Sequence, residues 1–165
     1  MTSEATVSKS TVGSFIANLP ELLGALGRDA RCVAIICEFD DGRYVQFWID
    51  PAGSITAEVV SNSNIFEAAV LDDADEESLR SLGWSEPSPK SRPNWFIDVD
   101  AAFGLVRISR IVARSVYLVL GERPSNGVRF RTFAMERTLT GRRSVGARSS
   151  TYRSDDLSEM VGFLS

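Results

Sequence analysis

Residues 31–61 read RCVAIICEFDDGRYVQFWIDPAGSITAEVVS, and this stretch decides the fold. Arg31 to Phe39 alternates as a strand, with Val33, Ile35, Cys37 and Phe39 on one face. Ala34 and Ile36 make the other face apolar too. Asp40-Asp41-Gly42 is a hairpin signal, because glycine takes a positive φ at no steric cost. Arg43 to Asp50 returns with Val45, Phe47 and Ile49 on one face and Tyr44, Gln46 and Trp48 on the other. Pro51-Ala52-Gly53 turns the chain again. Ser54 to Ser61 then sets Ile55, Ala57 and Val59 against Thr56, Glu58 and Val60. Three strands joined by tight turns make an antiparallel meander with one face packed on helices.

Upstream, Thr11 to Gly27 has the helical period. Phe15, Leu19, Leu22, Leu23 and Leu26 share one face, and Gly27 is a left-handed stop. Pro20 inside this pattern either kinks the helix or opens a fresh first turn after Asn18. Downstream, acids crowd Asp72 to Glu77 ahead of Leu79 and Leu82, which predicts a short helix over 75–82 stopped at Gly83. The acids lack the loop spacing and central glycine of a calcium site. A polar link with Pro87, Pro89 and Pro93 leads to a short strand over Phe96 to Val99.

Asp100 is the expected N-cap of a long helix over 101–120, closed by Gly121 and Pro124. Its polar stripe is narrow: Arg107, Arg110 and Arg114, at i, i+3 and i+7. Almost every other position is apolar, more than one buried face requires. The helix therefore wants partners on two sides, the second being either the chain's own helices or a second subunit. Val112, Val116 and Leu120, with the three arginines, are the candidate dimer or partner interface. Gly127 to Met135 alternates as a fourth strand whose arginines, Arg129 and Arg131, suit an outer edge. The expected organisation is a disordered tail over 1–10, an α+β domain over 11–135, an Arg/Ser/Gly-rich linker over 136–153, and a short amphipathic helix over 154–165 capped by Ser154-Asp155-Asp156.

Composition bounds the function. One domain is expected from 165 residues, 44% of them hydrophobic. The start lacks a basic-then-apolar leader and no run is long enough to span a bilayer, so a cytoplasmic protein with no membrane partner is expected. Residues 1–105 carry 7 basic and 17 acidic side chains, and residues 106–165 carry 11 and 5, for a net charge of −4. The Arg-rich third is expected to complement the acidic part, within one subunit or across a dimer, and to solvate a tail, which makes nucleic acid an unlikely partner; binding there would be steeply salt-dependent. Cys32 and Cys37 are an odd number of residues apart in a strand and point to opposite faces, as two small hydrophobes.

Histidine is absent, which removes the usual general base and commonest metal ligand. No P-loop, dinucleotide fingerprint, nucleophile elbow, HExxH or CxxC occurs. Glu38, Glu58, Asp40 and Asp50 read as solvated strand-face or turn residues. No enzyme, cofactor or metal is expected. Aromatics with a polar handle point instead to recognition. Tyr44, Trp48, Trp84 and Trp95, with Gln46, line one peptide-binding groove if residues 84–95 fold back over the meander's open face; otherwise the aromatics form a second layer of core.

Several of these pieces occur in a familiar order. Gly42-Arg43-Tyr44-Val45-Gln46-Phe47-Trp48 precedes a glycine turn and Ala57-Glu58-Val59-Val60-Ser61-Asn62. Leu79-x-x-Leu82-Gly83-Trp84-x-x-Pro87 and Pro93-Asn94-Trp95 follow. Over residues 11–135 this resembles the bacterial TY-Chap domains, which group with YbjN-like proteins and type III secretion chaperones. The resemblance implies an α+β fold: a helix, a three-stranded meander, a helical link, a further strand region and a long helix. It also implies a small acidic cytosolic homodimer that holds an extended segment of a client protein against apolar grooves without ATP. A client would gain affinity from backbone pairing at a sheet edge and from side chains in pockets. The alternative is a regulatory or scaffold subunit that contacts one folded partner.

Overall fold

A computed structural model of the chain describes residues 9–28, 32–49, 54–62, 70–88, 90–134 and 148–150. In chain order the elements are β1 (Lys9–Thr11), α1 (Val12–Arg28), β2 (Cys32–Phe39), β3 (Tyr44–Ile49), β4 (Ser54–Val59), α2 (Asp73–Leu82), β5 (Trp95–Asp100), α3 (Ala101–Arg114), β6 (Gly127–Ala134) and β7 (Arg148–Ser150). A π-helical turn, Ser115–Val119, continues α3 without a break. The fold is α+β. The strands run β1-β6-β2-β3-β4-β5 across one antiparallel sheet, with β7 also on β6.

The meander forms as its turn chemistry dictates. Gly42 takes φ +86°, and the Arg43 amide donates to Asp41 Oδ1 at 2.9 Å. The register sets Ile35 beside Phe47 and Phe47 beside Ala57, so the alternating apolar residues of three strands share one face. That face is buried against α1 and α3. Phe15, Leu19, Leu22, Leu23 and Leu26 of α1 join the core, as do Ile108 and Val112 of α3. The Phe15 and Phe130 rings pack tilted at 59°, with centroids 5.9 Å apart.

Pro20 neither breaks nor restarts α1. It is exposed, and the buried face runs through on both sides of it, which offsets the hydrogen bond it removes. Helix α2 begins at Asp73, two residues earlier than the acids alone suggest. Asp72 is its N-cap and forms a reciprocal capping box with Asp75, and Gly83 at φ +96° ends it. Helix α3 crosses β5 closely at Gly104, where a Cβ would lie 2.6 Å from Val99 Cβ.

The long helix expected over 101–120 is α-helical only to Arg114 and then widens, with Leu120 N–H donating to Ser115 O at 2.9 Å. Ser115 is buried at the widening. Its hydroxyl donates back to Ile111 O at 2.8 Å and accepts from Trp84 Nε1 at 2.8 Å. Arg43 caps the far end by donating to Leu120 O at 2.5 Å, and Gly121 leaves at φ +65°.

Two sequence expectations need correction. First, β6 is not an edge strand: β2 pairs along one side of it, and β1 and β7 pair on the other. Its arginines answer a charge inside the sheet, since Arg129 and Arg131 both reach Glu38 of β2, at 3.6 and 3.0 Å. Second, β5 starts at Trp95 rather than Phe96, which fixes the side of the sheet on which each aromatic lies. Lys9 and Ser10 of the expected tail lie in β1, and Arg148–Ser150 of the expected linker lie in β7. Residues 1–8 and the helix expected over 154–165 lie outside the described residues.

Candidate functional site: the open face of the sheet

The face turned away from α1 and α3 is built from the alternate residues of each strand. Register places Ala34 opposite Trp48, Ile36 opposite Gln46, and Glu38 opposite Tyr44. Gln46 continues to Glu58 and Phe96, and Trp48 continues to Thr56 and Asp98. Ala34, Ile36, Tyr44 and Gln46 are half-buried, whereas Trp48 is 45% exposed. A large aromatic therefore stands on the face beside shorter apolar neighbours. Glu38 with Arg129 and Arg131 forms a charged border on the β6 side.

On the β4–β5 side a polar network closes the face. Glu58 is only 3% exposed, and its Oε2 accepts from Gln46 Nε2 at 2.6 Å and from Asn94 Nδ2 at 2.9 Å. Asn94 also donates to Tyr44 Oη at 3.1 Å and accepts from the Ser61 amide at 3.3 Å. The Ser61 hydroxyl donates to Pro93 O. Burial pushes the Tyr44 hydroxyl above its usual range; the Asn94 hydrogen bond opposes this and the Glu58 charge adds to it. Thr56 Oγ1 donates to Asp98 Oδ1 at 2.5 Å, and Arg92 pairs with Asp98 at 2.7 Å while its guanidinium lies 4.3 Å from the Phe96 ring centroid. Buried polar groups that are fully partnered are stiff. The network thus holds Tyr44 and Gln46 in place beside Trp48.

The family model TY-Chap3, described as T3SS (YopN, CesT) and YbjN peptide-binding chaperone 3, matches residues 13–122. The chain belongs to this family. No curated protein and no solved structure matches the chain. The match runs from the first turn of α1 to the residues just after the π-helical turn of α3. It therefore includes all four strands from β2 to β5, and with them Trp48 and the Glu58–Asn94 network.

Within this TY-Chap3 domain the five candidate peptide-binding residues separate. Tyr44, Gln46 and Trp48 share the open face. Trp84 and Trp95 do not line it: they are 4% and 1% exposed and belong to the core. Trp95 pairs in register with Val59 and so faces the helices, and the guanidinium of Arg80 lies 5.5 Å from the centroid of its ring. Of residues 84–95, it is Asn94 rather than the tryptophans that reaches Tyr44 and Glu58 on the open face. The sequence reading missed Asn94 as a site residue.

The candidate interface separates as well. Val112, Val116 and Leu120 are fully buried in the chain's own core and are not available to a second subunit. Arg107, Arg110 and Arg114 are exposed. Cys37 is buried and its thiol is pushed far up by desolvation, the opposite of what a nucleophile needs. Among the described residues no cluster of carboxylates and cysteines could hold a metal ion, and no helix is long and apolar enough to cross a membrane.

Proposed function

We propose that this TY-Chap3 chain is a non-catalytic cytoplasmic module that holds an extended segment of a client protein across the open face of its sheet. The observation that carries this reading is Trp48, an exposed tryptophan beside half-buried Ala34, Ile36, Tyr44 and Gln46. A partly exposed aromatic with a polar tip on a rigid sheet is the residue type that dominates binding surfaces. The stretch from Tyr44 to Trp48 is about 13 Å long, enough for four or so residues of an extended client. Ile36 and Trp48 offer apolar contact, and Tyr44 and Gln46 offer polar groups.

The face supports this reading better than the sheet edge does. On the outer side of β5 the chain's own Ser85 already pairs with Phe96, and Asp98 and Asp100 place charge along what remains. The test is affinity purification of the tagged wild-type and Trp48→Ala proteins from their own cytosol, followed by limited proteolysis of what co-purifies. The reading expects a stoichiometric partner protected over one extended segment and lost with Trp48→Ala. A partner that stays intact as a folded domain, or that Trp48→Ala retains in full, contradicts it and favours a scaffold.

A further inference from the structure

Helix α3 carries a second surface on its side away from the sheet. Arg107, Arg110 and Arg114 form one exposed row about 10 Å long. Val106 and Leu118 lie at its two ends, 59% and 69% exposed. Like charges three and four residues apart on a helix repel one another. Other described arginines are relieved of such repulsion. Arg43 pairs with Asp41, Arg80 with Glu76, Glu77 and Glu86, Arg92 with Asp98, and Arg129 and Arg131 with Glu38. Among the described residues, the α3 row has no carboxylate partner, and neither does Arg123 in the loop beyond. The helix end does not need these cations, because Arg43 already serves Leu120 O.

We infer that the outer face of α3 docks an acidic amphipathic segment of a partner protein, with carboxylates against Arg107, Arg110 and Arg114 and apolar side chains on Val106 and Leu118. Arginine is enriched at protein interfaces, and Val106 and Leu118 add exposed apolar area beside the row. Three cations in about 10 Å are few for a phosphodiester strand, whose affinity grows with the number of phosphates neutralised. The chain's net charge of −4 also opposes a long polyanion or an anionic lipid surface more than it opposes a short acidic segment, which carries less charge. This surface lies on the opposite side of the molecule from Trp48, so its occupant is not the segment held on the open sheet face.

The experiment is fluorescence anisotropy with a labelled helical peptide that bears glutamates at i, i+3 and i+7 and leucines one turn to either side. A glutamine version of the peptide is the control, as are a labelled single-stranded oligonucleotide of equal length and phosphatidylserine vesicles. The expected result is binding of the glutamate peptide alone, weakened about tenfold or more by Arg107→Gln, Arg110→Gln and Arg114→Gln together. The triple variant should melt no lower than wild type, since it removes only repulsion. Trp48→Ala should leave this binding unchanged, which separates the docking face from the client face. Equal binding of the glutamine peptide, no binding of the glutamate peptide, stronger binding of the oligonucleotide or vesicles, or an unchanged affinity in the triple variant overturns the inference.

Discussion

Replacing Trp48 and Trp95 separately by alanine divides the two roles a tryptophan plays in this sheet. A buried tryptophan removes roughly 150–250 Å² from water. With Trp48 at 45% exposure, truncation to alanine gives up about 100 Å² of burial. At about 25 cal/mol per Å² this is at most about 2.5 kcal/mol, and about 1–2 kcal/mol against a realistic denatured chain. For a chain of this length the melting temperature should fall by about 2–8 °C. Trp95, at 1% exposure in the core, should cost about 3–5 kcal/mol, a fall of about 6–20 °C.

Client affinity should show the reverse order. A central aromatic anchor contributes about 2 kcal/mol or more, so Trp48→Ala should raise the Kd for a labelled client segment about 30-fold. Circular dichroism melts and fluorescence anisotropy on the same samples read both quantities. The reasoning is refuted if Trp48→Ala destabilises as much as Trp95→Ala, or if it leaves client affinity within about threefold of wild type.

Three further outcomes follow from the geometry. Gly104→Ala should destabilise by about 1–2 kcal/mol in urea titrations, because the new Cβ meets Val99 Cβ at 2.6 Å and overpacking outweighs the propensity gain; a gain in stability would show that β5 yields easily. Asp72→Ala should cost about 1 kcal/mol by the same assay through loss of the capping box, and an unchanged midpoint would mean that packing alone holds α2. Cys37 is held neutral by burial, so its thiol should resist alkylation at pH 8 until the chain is unfolded. Its folded value lies above the ordinary 9.0, so this part of the stability is complete below about pH 9 and is lost as the pH rises further; Tyr44, shifted the same way, adds to the loss at higher pH. Rapid labelling of Cys37 in the native protein, located by peptide mapping because Cys32 is also present, would contradict the burial.

Features set by neighbours in sequence were legible in it. The period-2 alternation of residues 32–59 and the 3.6-residue period of α1 each rest on local chemistry, and so does the stop at Gly83. Strand order was not legible, because Arg129 and Arg131 suit an exposed edge as well as they suit Glu38, some 90 residues earlier. The sides of Trp84 and Trp95 depended on distant partners: Trp84 on Ser115, and Trp95 on Val59. For Trp95 a signal was present. Trp95, Ile97 and Val99 alternate against Phe96, Asp98 and Asp100, which marks the core side once the strand is begun one residue earlier. The Glu58–Asn94 bond joins residues 36 positions apart and has no local signature.

The central claim is that a client meets the sheet face at Trp48 and leaves the core tryptophans alone. The chain has three tryptophans, so a nitrogen-15 correlation spectrum gives three indole N–H signals, assignable by single substitution. Titration with the client segment should move the Trp48 signal and leave those of Trp84 and Trp95 in place. A titration that leaves Trp48 unmoved while the client binds, or that shifts Trp84 and Trp95 instead, would contradict the account.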